Sequence, residues 1–197
     1  MTGEKTGRVL VIVGWAFGLC FVAVIAAAIY LTSPGFLVKM LSSDDVRHRR
    51  WAADELVRQG EGAGKRSLAL ATDTRADAEA RRLAVFVLGE IGYRESTPEL
   101  LALFRGGDPV LREQSAYALG RMGDAAVAPE LIGAYEGAPK GVKMKIIAAL
   151  GELPTERGIS LLKRESEAGT DDTLKDAAAY ALKKIAEKEK EKGAGAR

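Results

Sequence analysis

The chain has 197 residues, with 29 Lys+Arg against 27 Asp+Glu and only 6% aromatic residues. The near balance of charge excludes a general electrostatic attraction to nucleic acid. One histidine, His48, and one cysteine, Cys20, exclude a His-built metal cluster, a disulfide framework and a His-dependent triad.

Residues 1–8 form a short tail holding Lys5 and Arg8. Residues 9–31, Val9 to Leu31, then carry no charge. At about 1.5 Å per residue such a helix is about 34 Å long, enough to cross a hydrocarbon core of roughly 30 Å. A cleaved signal peptide has a shorter apolar region, roughly 7–15 residues, so the length favours an uncleaved anchor, although Ala26-Ala27-Ala28 resembles a cleavage site. Leu19 before Cys20 is too bulky for a lipoprotein site. Gly14 and Gly18 form a G-x-x-x-G pair on one face, a pattern suited to close packing against another membrane helix. Lys5 and Arg8 outweigh Lys39 next to the span, which favours a single-pass plasma (inner) membrane protein of bacterial style with its N-terminus inside and the rest outside the cytoplasm. A wider window adds Arg47, Arg49 and Arg50 and reverses that count.

After Ser33-Pro34 the chain repeats itself. Leu56, Leu88, Leu119, Leu150 and Leu182 follow one another at steps of 32, 31, 31 and 32. Three residues after each leucine stand Gln59, Ile91, Met122, Leu153 and Ile185. Seven before each stands a base: Arg49, Arg81, Arg112, Lys143 and Lys175. Four before the base stand Asp45, Asp77, Asp108, Pro139 and Asp171. Each aspartate sits where a helix wants an N-cap, Pro109 where the first turn tolerates proline, and Gly123 where the helix must stop. A first helix in each unit is read from Thr97-Pro98-Glu99-Leu100-Leu101 and Ala128-Pro129-Glu130-Leu131-Ile132, and the same spacing reaches back to Pro34. The period predicts an all-α chain: one transmembrane helix, then an α-solenoid of about five helix pairs over residues 34–187, then a charged, partly disordered tail over 188–197.

The unit resembles the short HEAT-like repeat named after phycobilisome lyases, whose signature D-P-x-x-R-x-x-A-x-x-x-L-G runs from Asp108 to Gly120 with Ser115 in place of the alanine. The resemblance implies a stacked helical array that binds proteins as a scaffold or adaptor; in one branch it implies a chromophore lyase. Gln59, Pro139, Lys143, Ser115 and Ile146 depart from the pattern.

On a helical wheel the bases fall on the buried side, where a guanidinium needs a partner. Asp45, Asp77, Asp108 and Asp171 are therefore expected to pair with Arg49, Arg81, Arg112 and Lys175, within or between repeats, as a structural ladder interrupted at Pro139 and Lys143. The opposite side carries Trp51, Leu83, Phe86, Tyr117, Met144 and Tyr180, flanked by Arg50, Arg58, Arg82 and Arg121. In HEAT-type arrays that side is concave, and aromatics among arginines have the composition of an interface centre. The bland alternative is that these rings pack between helices of the stack.

No glycine-rich phosphate loop or nucleophile–base pair accompanies these features, so the chain is read as a non-enzyme with no catalytic residue, metal or cofactor. The expected function is a membrane-anchored scaffold or accessory subunit that binds a membrane or membrane-proximal protein, with the lipid bilayer contacted through residues 9–31 and no nucleic acid partner. One alternative is a small subunit held in a membrane enzyme complex mainly by its transmembrane helix. A remote one is a bilin lyase-like chromophore chaperone.

Overall fold

The computed structural model describes residues 22–195, and among these every regular element is helical. Helix α1 spans Val22–Leu31. It is followed by α2 (Pro34–Met40), α3 (Val46–Gln59), α4 (Gly64–Thr72), α5 (Ala78–Ile91), α6 (Thr97–Gly106), α7 (Pro109–Met122), α8 (Ala128–Ala134), α9 (Lys140–Glu152), α10 (Glu156–Ala168) and α11 (Asp172–Gly195). From α2 onwards each even helix packs on the odd helix that follows it, giving five pairs. The odd helices also pack side by side in the order α3, α5, α7, α9, α11, whereas the even helices touch one another sparingly. A stack that is tighter on one side curves towards that side, so the odd helices line the concave face.

The register seen in the sequence is the packing register. Leu56, Leu88, Leu119 and Leu150 are buried between the two layers, as are Ala52, Ala84, Ser115, Ile146 and Ala178 four positions earlier. The even layer contributes Leu37, Leu100, Phe104, Leu131 and Leu162 to the same interior. Leu182 is only partly covered, because no further helix follows α11 among the described residues.

A second column sets how closely the odd helices approach. The residue after each register leucine is Val57, Gly89, Gly120, Gly151 and Lys183; the residue before it is Glu55, Val87, Ala118, Ala149 and Ala181. Gly89 lies on Ala118, Gly120 on Ala149 and Gly151 on Ala181. A methyl added at Gly89 or Gly120 would stand 2.6 Å or 2.5 Å from the facing Cα, so glycine is required there by contact between two backbones. Val57 and Val87 occupy the equivalent place between α3 and α5, which pack less extensively. Charged Glu55 and Lys183 hold these columns in the first and last pairs, where the inner pairs use valine, alanine and glycine.

Helix ends follow the expected chemistry. The carboxylates of Asp45, Asp77, Asp108 and Asp171 accept from backbone N–H groups of their own first turns, Asp108 from both Val110 and Leu111 at 3.0 Å. Pro139 supplies no side-chain cap. Gly92 and Gly123 close α5 and α7 in the left-handed region, at φ 68° and 72°.

The expected Asp–Arg ladder does not form. Arg49 donates to the Ser43 carbonyl, Arg81 to the Ala71 carbonyl and Arg112 to the Phe104 carbonyl, at 2.9, 3.1 and 3.2 Å. The last turn of α4 and of α6 has carbonyls without intrahelical partners and a negative dipole end, both of which suit a guanidinium. The aspartates are already used as caps. In the last pair Asp171 bridges to Lys140, not Lys175, at 2.7 Å, and in the fourth Lys143 lies 5.1 Å from the Tyr135 ring centroid.

Residues 9–21 of the expected span, with Gly14 and Gly18, lie outside the described residues. Among those described, no single helix is long and apolar enough to cross a membrane. Helices α1 and α2 would suffice together by length and composition, but they bend by 57° at Thr32-Ser33. Leu37 of α2 is moreover fully buried in the solenoid. The junction is fixed from both sides: Ser33 caps α2, and the Gln59 amide donates to the Thr32 carbonyl at 2.5 Å. Gln59, a departure from the apolar pattern, thus ties the end of α3 to the start of the array. At the other end, the tail expected to be partly disordered continues α11 as helix to Gly195. Lys188 of this stretch bonds Glu152 on α9, and alternating Lys and Glu favour helix.

Candidate protein-binding face

On the concave face, the residues two before each register leucine are Asp54, Phe86, Tyr117, Ala148 and Tyr180. Phe86 and Tyr117 stack, with ring centroids 6.4 Å apart and planes 13° from parallel. The Tyr117 hydroxyl donates to Glu90 at 2.7 Å, and the Lys145 ammonium stands 5.8 Å from the centre of the Tyr117 ring. The row of rings then breaks. Ala148 follows on α9, and on α11 Ala177 stands where the other units carry Trp51, Leu83, Gln114 and Lys145. Tyr180 resumes the row, 69% exposed.

These two alanines open a groove of about 390 Å³ across α7, α9 and α11. Tyr117 and Tyr180 are among its walls, with Met144, Ala148 and Ala177 between them and Arg121, Glu152 and Lys184 also lining it. Four of the expected interface residues, Tyr117, Met144, Tyr180 and Arg121, therefore meet at one place. Trp51, Leu83, Phe86, Arg50, Arg58 and Arg82 do not line the groove. Leu83 and Phe86 are partly buried against the core, and Trp51 is exposed on α3 near the other end of the array. The expected continuous stripe is instead a stack, a gap and a lone ring.

The flanking arginines are engaged. Arg58 pairs with Glu55 on its own helix. Arg82 pairs with Glu79 at 2.7 Å and reaches Gln114 on the next odd helix at 3.3 Å. Arg121 holds both oxygens of Glu90 across the repeat boundary, at 2.9 and 3.0 Å. Of these four arginines, Arg50 alone has no ion-pair partner among the described residues.

A different ladder exists, two residues after the register leucine: Arg58, Glu90, Arg121, Glu152 and Lys184. Glu90 is joined to Arg121, and Glu152 to both Lys184 and Lys188. Partial burial pushes the Glu90 carboxyl up, but the bonds from Arg121 and Tyr117 outweigh it, so Glu90 titrates below the ordinary carboxylate range. Glu152 follows the same balance, with the two lysines prevailing over burial. Burial, then the bond to Glu90, raises the Tyr117 phenol. The face is a cross-braced surface with an apolar opening. Its signal in the aligned columns is an alternation of charge two residues after the register leucine and small residues at 148 and 177.

The HEAT-repeat family matches residues 66–142. A search of curated proteins finds no match. Among solved structures, the chain is similar to one in the complex of CpcE and CpcF of phycocyanin lyase from Nostoc sp. PCC7120, at 24% identity and a TM-score of 0.58. The similarity covers 77% of this chain and 64% of that one, so the chain spans less than two thirds of its neighbour's length. The fold is an α-solenoid of helix pairs, similar in fold to a chain of the phycocyanin lyase complex, and its residues 66–142 match HEAT repeats.

Proposed function

We propose that this chain is a protein-binding scaffold or accessory subunit, tethered to a membrane by residues 9–31, that docks its partner on the concave face at the groove between Tyr117 and Tyr180. The observation that carries the reading is the groove itself, an apolar opening beside charged and aromatic groups, Phe86, Glu90, Tyr117 and Arg121, that are braced against one another. An opening of this kind accepts a side chain from outside, and the exposed Tyr180 adds contact area of the type found at interface centres. The solved neighbour is itself a complex of two proteins, which is consistent with a repeat array working alongside another chain. A tether raises the local concentration of the array near a membrane partner, so the contact need not be tight.

A second reading takes the exposed apolar surface of α1 as its observation. Val22, Val24, Ile29 and Tyr30 are at least 60% exposed, which suits lipid or a neighbouring membrane helix, and the chain would then be held in a larger complex mainly by that helix. The lyase-like alternative would use the groove to hold a chromophore; Glu152, the carboxylate among its lining residues, is committed to ion pairs with Lys184 and Lys188, and we do not adopt it. Purification in mild detergent, with and without residues 34–197, separates the first two. Loss of the co-purifying protein on deletion supports docking by the array. Its retention supports the helix.

A further inference from the structure

The charge around the groove is uneven. On the C-terminal side of α11, Lys184 and Lys188 share one carboxylate, Glu152, each on its own oxygen, so two cations meet one anion. On the other side Lys145 of α9, beside the groove and not among its lining residues, stands with its ammonium 5.8 Å from the centre of the Tyr117 ring and has no carboxylate within ion-pair distance among the described residues. Glu90 is saturated by Arg121 and the Tyr117 hydroxyl. A lysine without an ion pair therefore flanks the groove beside its Tyr117 wall, and two lysines on one carboxylate, of which Lys184 lines the groove, stand at Glu152.

The register gives the separation. Lys145 lies five positions before Leu150, and Lys184 two positions after Leu182. The odd helices run parallel and in step, as Gly151 on Ala181 requires. Seven residues of axial offset is about 10 Å, and neighbouring helices lie about 8–10 Å apart, so the backbone positions of Lys145 and Lys184 are about 13 Å apart on a diagonal across α9 and α11. An extended chain covers that span in about four residues, and residues i, i+2 and i+4 of such a chain project to the same side.

We propose that the groove receives an extended acidic segment of a protein partner, with the pattern acid–x–apolar–x–acid. The apolar side chain fills the space between Tyr117 and Tyr180 while the two carboxylates meet Lys145 and the Lys184–Lys188 pair. This rests on the reading of the concave face as protein-binding and adds the chemistry of the segment recognised.

The test uses the full chain in a non-ionic detergent and fluorescence anisotropy with labelled peptides. The probe is Gly-Glu-Ser-Leu-Ser-Glu-Gly; one control carries Lys for both Glu, the other Ser for Leu. The Glu–Leu peptide is expected to bind roughly tenfold more tightly than either control, the sum of two exposed ion pairs or one buried side chain, and to weaken as salt rises. Ala148→Phe fills the groove from its solvent side, since Ala148 is exposed, and should abolish the preference while the helical circular dichroism is unchanged. Lys145→Glu should reduce the preference for the acidic peptide over the lysine one. Equal binding of the three peptides, binding of none, or a preference that survives Ala148→Phe overturns the proposal. If a photoreactive residue at position 148 still captures a protein partner in native membranes, the acidic-segment inference alone has failed; if it captures none, the docking reading has failed with it.

Discussion

Replacing Gly120 by alanine tests the packing on which the concave face is built. An added Cβ would lie 2.5 Å from Ala149 Cα and 2.6 Å from its Cβ, where ordinary contact begins at 3.4 Å. Both atoms belong to a buried position of α9, which is itself held against α11, so the clash is relieved only if α7 and α9 separate by about 1 Å. Alanine gains about 1 kcal/mol over glycine in helix propensity, while overpacking of this kind costs about 1–3 kcal/mol plus lost dispersion along the interface. The net expectation is a loss of about 1–2 kcal/mol, or a melting temperature lower by roughly 3–6 °C for a domain of this size. Two further glycines calibrate the result. At Gly151 the nearest atom is the Ala181 Cβ at 3.1 Å, and the two effects should cancel within about 0.5 kcal/mol. At Gly133 a Cβ meets nothing within 4 Å, and alanine should stabilise by about 0.5–1 kcal/mol. Thermal melts followed by helical circular dichroism give the order Gly133→Ala, wild type with Gly151→Ala, then Gly120→Ala. A Gly120→Ala protein as stable as Gly133→Ala would refute the close approach of α7 and α9.

Three more outcomes follow from the same geometry. Asp108→Ala and Arg112→Met should each destabilise, the first by about 1 kcal/mol for the lost cap, but a double-mutant cycle should show coupling below about 0.5 kcal/mol, because the two side chains serve different helices; coupling well above that restores the Asp–Arg ladder. Ser115→Ala should stabilise by about 1 kcal/mol, since the Ser115 hydroxyl is fully buried without a partner, and denaturant melts decide it. Glu90 titrates lower in the folded chain than in the unfolded one, so its contribution is complete above the ordinary value of 4.5 and is lost as pH falls through the folded value. Glu90→Gln should therefore flatten the decline of melting temperature on acidification below about pH 4.5, and an unchanged acid limb would contradict the bridge to Arg121.

Much of this architecture is legible in the sequence because a repeat array solves the same packing problem five times. One register leucine per unit, Asp caps and Gly123-type stops are set by local chemistry, so their spacing reports helix boundaries directly. What the sequence reading misplaced depends on which of several neighbours a side chain meets. A base on the buried side needs a partner, but whether that is an aspartate or a helix-end carbonyl is decided by where the preceding helix ends, as Arg81 on Ala71 and Arg112 on Phe104 illustrate. The groove was missed for a related reason. It arises where Ala148 and Ala177, on different helices, come side by side, and large residues draw attention in a wheel projection while small ones do not. Gln59 looked like a fault in the pattern until the Thr32 carbonyl gave it a partner across the start of the array.

The central claim, that the concave face at the groove is where a partner docks, is tested most directly by site-specific photocrosslinking in native membranes. A benzoylphenylalanine at position 148, in the groove, should yield a discrete protein adduct, whereas the same residue at position 163, exposed on the even-layer helix α10, should yield none. Adducts at position 163 and not at position 148, or identical patterns at both, would contradict it.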